Sequence, residues 1–462
     1  MPTFFNVTKE SSIFMEKTIK MNRTTLEKYY RTDWFWWVVQ RSHLLTIASW
    51  TLVAIFLSRI AWYDVRIIYA DIGLIYGLFY TYAAILAPFL LMICVGRIDM
   101  LRTSRTVLVF ASVALYGIIL AIIYQSPVSY LLSDSFKFLL VPAGLVAGRL
   151  LARRIGVTWV GILVVAFSFL FLILKFVFFV YVNDGVTGLL YGGIADFLPF
   201  VIALSVAVFA RGRYAAVWFA VFVATALLLI MGQKRTLLIL MVFNLSYVLT
   251  RFWRRPRVWV MFTVLTTGLI VAGGAFLQLN VGADSRLLNR FVRTDVNTDI
   301  GVESRRYREV RLVFEELLER GALAVLLGIG SGATFEEEIP DRRTGITTIH
   351  SVHFTPAAML FRYGGIGIAY YIWFFGFGYR VLRAAERLGG KRAVRGVFVG
   401  FRLYWVDAFV ASWVIYGFVD DLILGLFLGV ALEWLYCCRQ ESEWRKGAPV
   451  PCEAKSINAD VC

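Results

Sequence analysis

Three short stretches carry side chains whose types and spacing suit work on a phosphate-bearing substrate. The first is Gln233-Lys234-Arg235-Thr236, which opens directly into the apolar run Leu237–Leu240. A helix beginning there turns unpaired backbone amides and the positive end of its dipole toward an anion. Lys234 and Arg235 add two full charges to that end; the competing assignment is that both snorkel to lipid headgroups. The second is Glu303-Ser304-Arg305-Arg306, with Arg308 close behind. A planar guanidinium grips two phosphate oxygens at once, whereas an ammonium acts as a point charge. Arg305 and Arg306 are the leading anion ligands and Arg308 a supporting one; the alternative is that they pair with Glu303 and Glu309 on a solvated helix face. The third is His350-Ser351-Val352-His353, holding two of the three histidines in the chain. Imidazole titrates near neutral pH and serves as a general base. His353 is the catalytic candidate and His350 its support. The pair would also suit structural polar contacts, or a metal if one of Glu336, Glu337 or Glu338 folded over them; no metal is expected. Arg362, nine residues beyond His353 inside an apolar run, is expensive unless it faces a polar cavity, which makes it a further support.

These stretches must be positioned by helices. The chain is 59% hydrophobic, with mean hydropathy +0.71 and only 17% charged residues, where soluble domains carry about 25%. Runs of about 18 apolar residues cross a hydrocarbon core, and backbone amides in lipid require helices. Twelve runs qualify: about 43–61, 74–95, 106–124, 136–152, 157–181, 196–210, 214–231, 236–250, 258–277, 354–377, 402–418 and 421–436. The expected fold is all-α, a polytopic integral membrane protein of about twelve transmembrane helices with one large external loop. The expected organisation is a cytoplasmic arm (1–42), helices one to nine (43–277), the loop (278–352), helices ten to twelve (353–436) and a cytoplasmic tail (437–462). The first 42 residues are polar and charged, so the first apolar run is expected to be a span and not a cleaved signal.

Lysine and arginine set the orientation. The arm to residue 42 has seven; the same side continues with Arg97, Arg102 and Arg105, then Arg149, Arg153 and Arg154, then Arg211 and Arg213. It goes on through Arg251, Arg254, Arg255 and Arg257, seven cations from Arg380 to Arg402, and four in the tail. The opposite side is nearly bare, except at Lys234-Arg235 and in the loop, which holds ten arginines and no lysine. Both termini are therefore expected in the cytoplasm and the loop outside. The net charge of +16 reads mainly as topology and contact with anionic lipid, not as nucleic-acid binding.

Loops this long are usually functional or disordered. This one contains an amphipathic stretch, Glu303 to Arg320, with Val310, Val313, Phe314, Leu317 and Leu318 at helical spacing. The apolar segment Gly321–Leu327 then ends in Gly328-Ile329-Gly330-Ser331-Gly332, a tight turn suited to dipping back into the protein. Twelve acidic residues keep the loop near neutral, so its arginines are local features. Asp407 is expected at the membrane interface, and Asp420 and Asp421 at an outer turn. No cysteine lies in an external loop and no Walker-type phosphate loop occurs. Neither a disulfide framework nor ATP-driven transport by this chain alone is expected.

Three features in order resemble the O-antigen ligase and O-antigen polymerase superfamily of bacterial polytopic glycosyltransferases. Gln233-Lys234-Arg235-Thr236 is similar to the family's Ser-x-Ser-Arg element. Glu303-Ser304-Arg305-Arg306 is similar to its loop Ser-x-Arg element and precedes the glycine turn 328–332, similar to its Gly-x-Gly turn. His353-Phe354 followed by Tyr363-Gly364-Gly365-Ile366-Gly367 is similar to its His-Asn element. The resemblance covers about 230–370. Phe354 stands where the family has Asn, and Gln233-Lys234 where it has small polar residues.

The resemblance implies a glycan linked to undecaprenyl pyrophosphate as donor, presented at the periplasmic face of the bacterial inner membrane. Lys234, Arg235 and Arg305 or Arg306 would hold the departing pyrophosphate. His353 would take the proton of the attacking sugar hydroxyl, and direct displacement would invert the anomeric centre without cofactor or metal. The acceptor would be a second lipid-linked glycan (polymerase, preferred) or the lipid A-core (ligase), with a chain-length regulator or other polysaccharide-assembly proteins as further partners. The rival from another class is a transporter or flippase of polysaccharide lipid intermediates, which would place its cations near the midplane between related halves; no such halves are visible.

Overall fold

Every apolar run that falls on described residues folds as helix, because none alternates with period two and each is long enough to close its own hydrogen bonds. The computed structural model describes residues 105–182, 194–231, 235–256, 258–260, 262–263, 266–267, 296–338, 346–349, 352, 354–413 and 422–445. They belong to one compact unit, Thr51–Cys462; the other unit, Met1–Trp50, lies outside them. The helices are α1 (Arg105–Ile123), α2 (Val128–Ile155), α3 (Val157–Val182), α4 (Leu198–Phe209), α5 (Arg213–Met231) and α6 (Arg235–Phe252). They continue with α7 (Val296–Glu319), α8 (Ala322–Leu327), α9 (Thr355–Leu388), α10 (Arg392–Ser412) and α11 (Leu422–Arg445). The described residues are therefore helical, as expected, with one small departure among them: Phe335–Glu338 (β1) and Ile346–Ile349 (β2) pair antiparallel, Phe335 opposite Ile349.

Among the described residues, Arg213–Ile230 and Leu422–Gln440 are long and apolar enough to cross a membrane by length and composition. Leu108–Ile123, Val157–Leu170, Leu198–Phe209 and Leu237–Phe252 are shorter apolar stretches. The expected count of twelve crossings is thus not shown. The runs at 43–61 and 74–95 lie outside the described residues, and the one at 258–277 is described only in part. The run expected at 402–418 is displaced: α10 begins at Arg392 and ends at Ser412.

Helices α2 and α11 pack backbone against backbone, and four glycines explain it. A Cβ added at Gly144 or Gly148 would lie 2.1 Å from the carbonyl oxygen of Leu422 or Leu426. One at Gly425 or Gly429 would lie 2.0 Å from that of Val141 or Leu145. Small residues four apart on both helices let backbone meet backbone, which maximises dispersion contact. The end of this pair is closed by Glu433, 2% exposed, which takes Arg149 Nε at 3.0 Å and lies 3.7 Å from Arg153 Nε. Gly148→Ala should therefore lower stability by about 1–3 kcal/mol, measured by unfolding in detergent. Gly376→Ala, also inside a helix but with open space for the added carbon, is the matched control and should raise stability by about 0.5–1 kcal/mol.

Helix α4 is buried along its whole length, as a helix apolar on every side must be. It packs on α3, α5 and α10. Gly396 and Gly400 of α10 face it, their added Cβ atoms 3.0 and 2.9 Å from the Cα atoms of Val206 and Ile202. Asp407, expected at an interface, is instead fully buried within α10, where both of its oxygens accept from Asn244 Nδ2 of α6 at 2.9 Å. A single carboxylate in an apolar run turns inward because an amide partner is available there and not in hydrocarbon.

Candidate functional site

The described residues 296–338, 346–349 and 352, between α6 and α9, build a packed module on the ends of three helices. Its first element is α7, whose 3.6-residue period places Val313 and Leu317 on one line, both fully buried. With half-buried Val310 they meet Ala324 of α8, Ile329, Ala333, Phe335, Val352, Ala357, Ala358 and Phe361 in one apolar cluster. Phe314 and Leu318, expected on the buried face, are 44% and 68% exposed. The cover offered by α8, β1 and the start of α9 extends from the Val310–Val313–Leu317 line toward Glu309 and Leu312, so the line on the other side, Phe314 and Leu318, stays outside. On the exposed face Arg311 pairs with Glu315 and Arg320 with Glu316 at 3.3 and 2.7 Å, contacts of little energetic weight.

Next comes the glycine turn, buried from Gly328 to Ala333. Gly328, Gly330 and Gly332 hold φ of 80°, 97° and 79°, which a side chain makes unfavourable. Space demands glycine as strictly: added Cβ atoms would lie 2.5 Å from the carbonyl of Arg362, 2.2 Å from Ala121 N and 2.5 Å from Leu131 N. The turn is thus wedged between α9, α1 and α2.

Its amides find partners there because α9 breaks. Gly364 adopts φ 60°, ψ −151° inside the helix, so the carbonyls just before it face the turn. Ile329 N donates to Phe361 O at 2.9 Å and Gly330 N to Arg362 O at 2.8 Å. Ser331 N donates to Gly117 O at 3.0 Å, and Tyr116 Oη donates to Leu327 O at 2.6 Å. Ser331 Oγ and Tyr363 Oη are 3.1 Å apart. Irregular backbone is tolerated in an apolar setting only when satisfied by protein in this way.

A charge pair closes the arrangement. Arg362 Nε lies 2.9 Å from Asp134 Oδ2, and Gly332 N donates to the same oxygen at 2.8 Å. Arg362 and Asp134 are 3% and 2% exposed. Arg362, expected to face a polar cavity as a support for substrate, is instead enclosed against Asp134. Asp134 was not singled out from sequence. A signal existed: Asp134 is the one acid in α2 and Arg362 stands in the apolar first half of α9, and each is costly there unless paired.

Of the other candidate residues, Lys234, His350 and His353 lie outside the described residues. Arg235 is the first residue of α6, which packs on α5 and α10. Arg305 and Arg306 lie on α7, where their side chains are outside the described residues; Arg308 is exposed there. What the fold brings together is their backbone setting. Helix α7 packs on α8, β1 and the start of α9, and its apolar line shares a cluster with Val352 and Phe354, the neighbours of His353 in the chain. Phe354 is further held by Trp413, ring centroids 5.4 Å apart. Glu336, Glu337 and Glu338 sit in β1 opposite Thr348, Thr347 and Ile346. Among the described residues no three His, Cys, Asp or Glu side chains are placed to hold a metal. Compared with family models and with curated proteins, the chain matches none.

Proposed function

We propose that the chain is a bacterial inner-membrane glycosyltransferase that polymerises, or ligates, glycan carried on undecaprenyl pyrophosphate at the periplasmic face. The observation that carries this reading is the shared apolar cluster of α7 and the residues flanking His353. It ties the segment bearing Arg305 and Arg306 to the segment bearing the imidazole. Two stretches resembling the ligase and polymerase superfamily thus belong to one packed module, near the glycine turn that resembles the family's own.

The bilayer part of the reading is supported by the distribution of polarity. Asp134, Asp196, Asn244, Arg362, Asp407 and Glu433 are buried, while Leu108, Leu115, Ile122, Val217, Ile239, Val242 and Ile372 are exposed on helix surfaces. Charges inside and aliphatic side chains outside suit a hydrocarbon solvent, in which a buried polar pair is stable and an exposed one is not.

In the proposed reaction the acceptor hydroxyl attacks the anomeric carbon from the side opposite the pyrophosphate. His353 takes its proton, the new glycosidic C–O bond forms, and the bond from the anomeric carbon to phosphate oxygen breaks. Lys234, Arg235 and Arg305 or Arg306 stabilise the charge gathering on the departing pyrophosphate. Configuration inverts, and no metal is required for charge neutralisation.

The test is incubation of the purified full chain with lipid-linked oligosaccharide, with and without lipid A-core, and with and without chelator. Lengthened lipid-linked glycan is the expected product, formed equally with chelator; glycosylated lipid A-core would instead assign ligation. Translocation of the lipid-linked glycan without any new glycosidic bond would overturn the reading in favour of a transporter.

A further inference from the structure

Two arginines far apart in the chain, Arg255 and Arg395, lie against one buried phenylalanine. Phe209, the last residue of α4, has Arg255 Cζ 4.8 Å from its ring centroid and Arg395 Cζ 5.5 Å from the same centroid. The two guanidinium carbons therefore lie within about 10 Å of each other across one ring. Arg255 is fixed by donating Nη1 to Val208 O at 2.8 Å, and Arg395 by its place in the first turn of α10. Both are exposed. Arg211, Arg213, Arg251, Arg254, Lys391 and Arg392 lie in the α4–α5 and α9–α10 connections and after α6, or in the helix turns beside them, and are exposed as well. The sequence has no aspartate or glutamate between Asp196 and Asp284, nor between Glu386 and Asp407, so these connections carry charge of one sign only. Like charges concentrated in this way raise the free energy of the fold unless an anion joins them.

Aromatic side chains adjoin the cluster and point to the chemistry of that anion. Phe252 packs edge-on against Phe209 at 5.2 Å. Beyond it Trp253 and Trp259 are 56% and 48% exposed, joined by a 2.8 Å bond from Trp259 Nε1 to Trp253 O. Tyr214 is 77% exposed. Exposed indoles and a phenol beside a row of guanidinium groups match the boundary between acyl chains and headgroups, and a free inorganic anion has no use for them.

We propose that Arg255 and Arg395, both against the ring of Phe209, form a specific site for the paired phosphates of an anionic phospholipid, with Trp253, Trp259 and Tyr214 against its glycerol and upper acyl segments. A diphosphatidylglycerol carries two phosphates on one short bridge and so engages both guanidinium groups at once. The inference rests on the bilayer part of the preceding reading and not on glycosyl transfer. It goes beyond a general attraction of basic loops to lipid because it assigns recognition to two residues.

The test measures binding of diphosphatidylglycerol, phosphatidylglycerol, phosphatidylcholine and inorganic phosphate to the full chain in detergent, by native mass spectrometry. Flotation with phosphatidylcholine vesicles serves as a separate check of insertion. The variant Arg255→Gln/Arg395→Gln should bind diphosphatidylglycerol about 25-fold more weakly, roughly fivefold per guanidinium. Arg380→Gln/Arg383→Gln removes the same charge from exposed positions of α9 and should change it by less than about twofold. Arg255→Lys/Arg395→Lys keeps the charge but not the planar fork or the ring stacking, and should fall between wild type and the glutamine pair; it also serves if the glutamine pair fails to fold. Equal losses in both glutamine pairs would overturn the proposal in favour of a diffuse field. Competition by inorganic phosphate at the affinity of the lipid would overturn the commitment to lipid. A chain that does not float with vesicles would overturn the bilayer premise and this inference together, whereas absent glycosyl transfer with intact selectivity would overturn only the enzymatic reading.

Discussion

Asp134→Ala is expected to destabilise the folded chain by about 3–5 kcal/mol, because it leaves the Arg362 guanidinium enclosed without its carboxylate. The ion pair is 2.9 Å long and both side chains are almost fully buried. The buried cation then pays a desolvation penalty that the Asp134 carboxylate no longer offsets. Arg362→Met should cost a similar amount for the mirror reason. The double variant Asp134→Leu/Arg362→Met removes both charges, so its loss should fall short of the summed single losses by at least about 2 kcal/mol. It should not reach zero, since Gly332 N then loses the acceptor it has at 2.8 Å, at about 1 kcal/mol or more. Denaturant or thermal unfolding in detergent reads all three. Additive losses would show that the two groups do not interact.

His353→Ala should reduce glycosyl transfer by about 10²–10⁴-fold, the range that a positioned general base contributes. The thermal unfolding midpoint should stay near that of the parent. Val352 is buried and Phe354 is held by Trp413, so the flanking packing does not depend on the imidazole. The combination matters: a large loss of turnover with intact stability assigns chemistry, whereas loss of both would assign the residue to the fold. Donor KM should move far less than kcat, because the pyrophosphate contacts assigned to Lys234, Arg235 and the α7 arginines remain. Undiminished product formation in this variant would remove His353 from the mechanism.

The amphipathic stretch was legible. Val310, Val313 and Leu317 repeat at helical spacing and do face the core, and the glycine turn does dip into the protein. Phe314 and Leu318 were misread because periodicity locates the centre of an apolar stripe but not its width. Width depends on how much surface the neighbouring elements offer. The β1–β2 ribbon was missed for a related reason. Three consecutive glutamates hide the strand signal of 335–338, and Ile346-Thr347-Thr348-Ile349, though β-branched, becomes a strand only when a partner lies beside it. Asp407 was misplaced because its position near the end of an apolar run says nothing about Asn244 on another helix.

What the sequence by itself determined was the helical character of the described residues, the clustering of arginines in the connections between apolar runs, and a tight glycine-rich turn at 328–332. These are local properties: apolar length, net charge per connection, and the backbone freedom of a single residue type. Only the tertiary structure decided which solitary charges meet, that Asp134 serves Arg362 and Gly332 together, and that Arg255 and Arg395 share one ring. Electrostatic and backbone hydrogen-bond energies fall steeply with distance. Residues far apart in the chain therefore acquire their roles only when helix packing sets the separation between them.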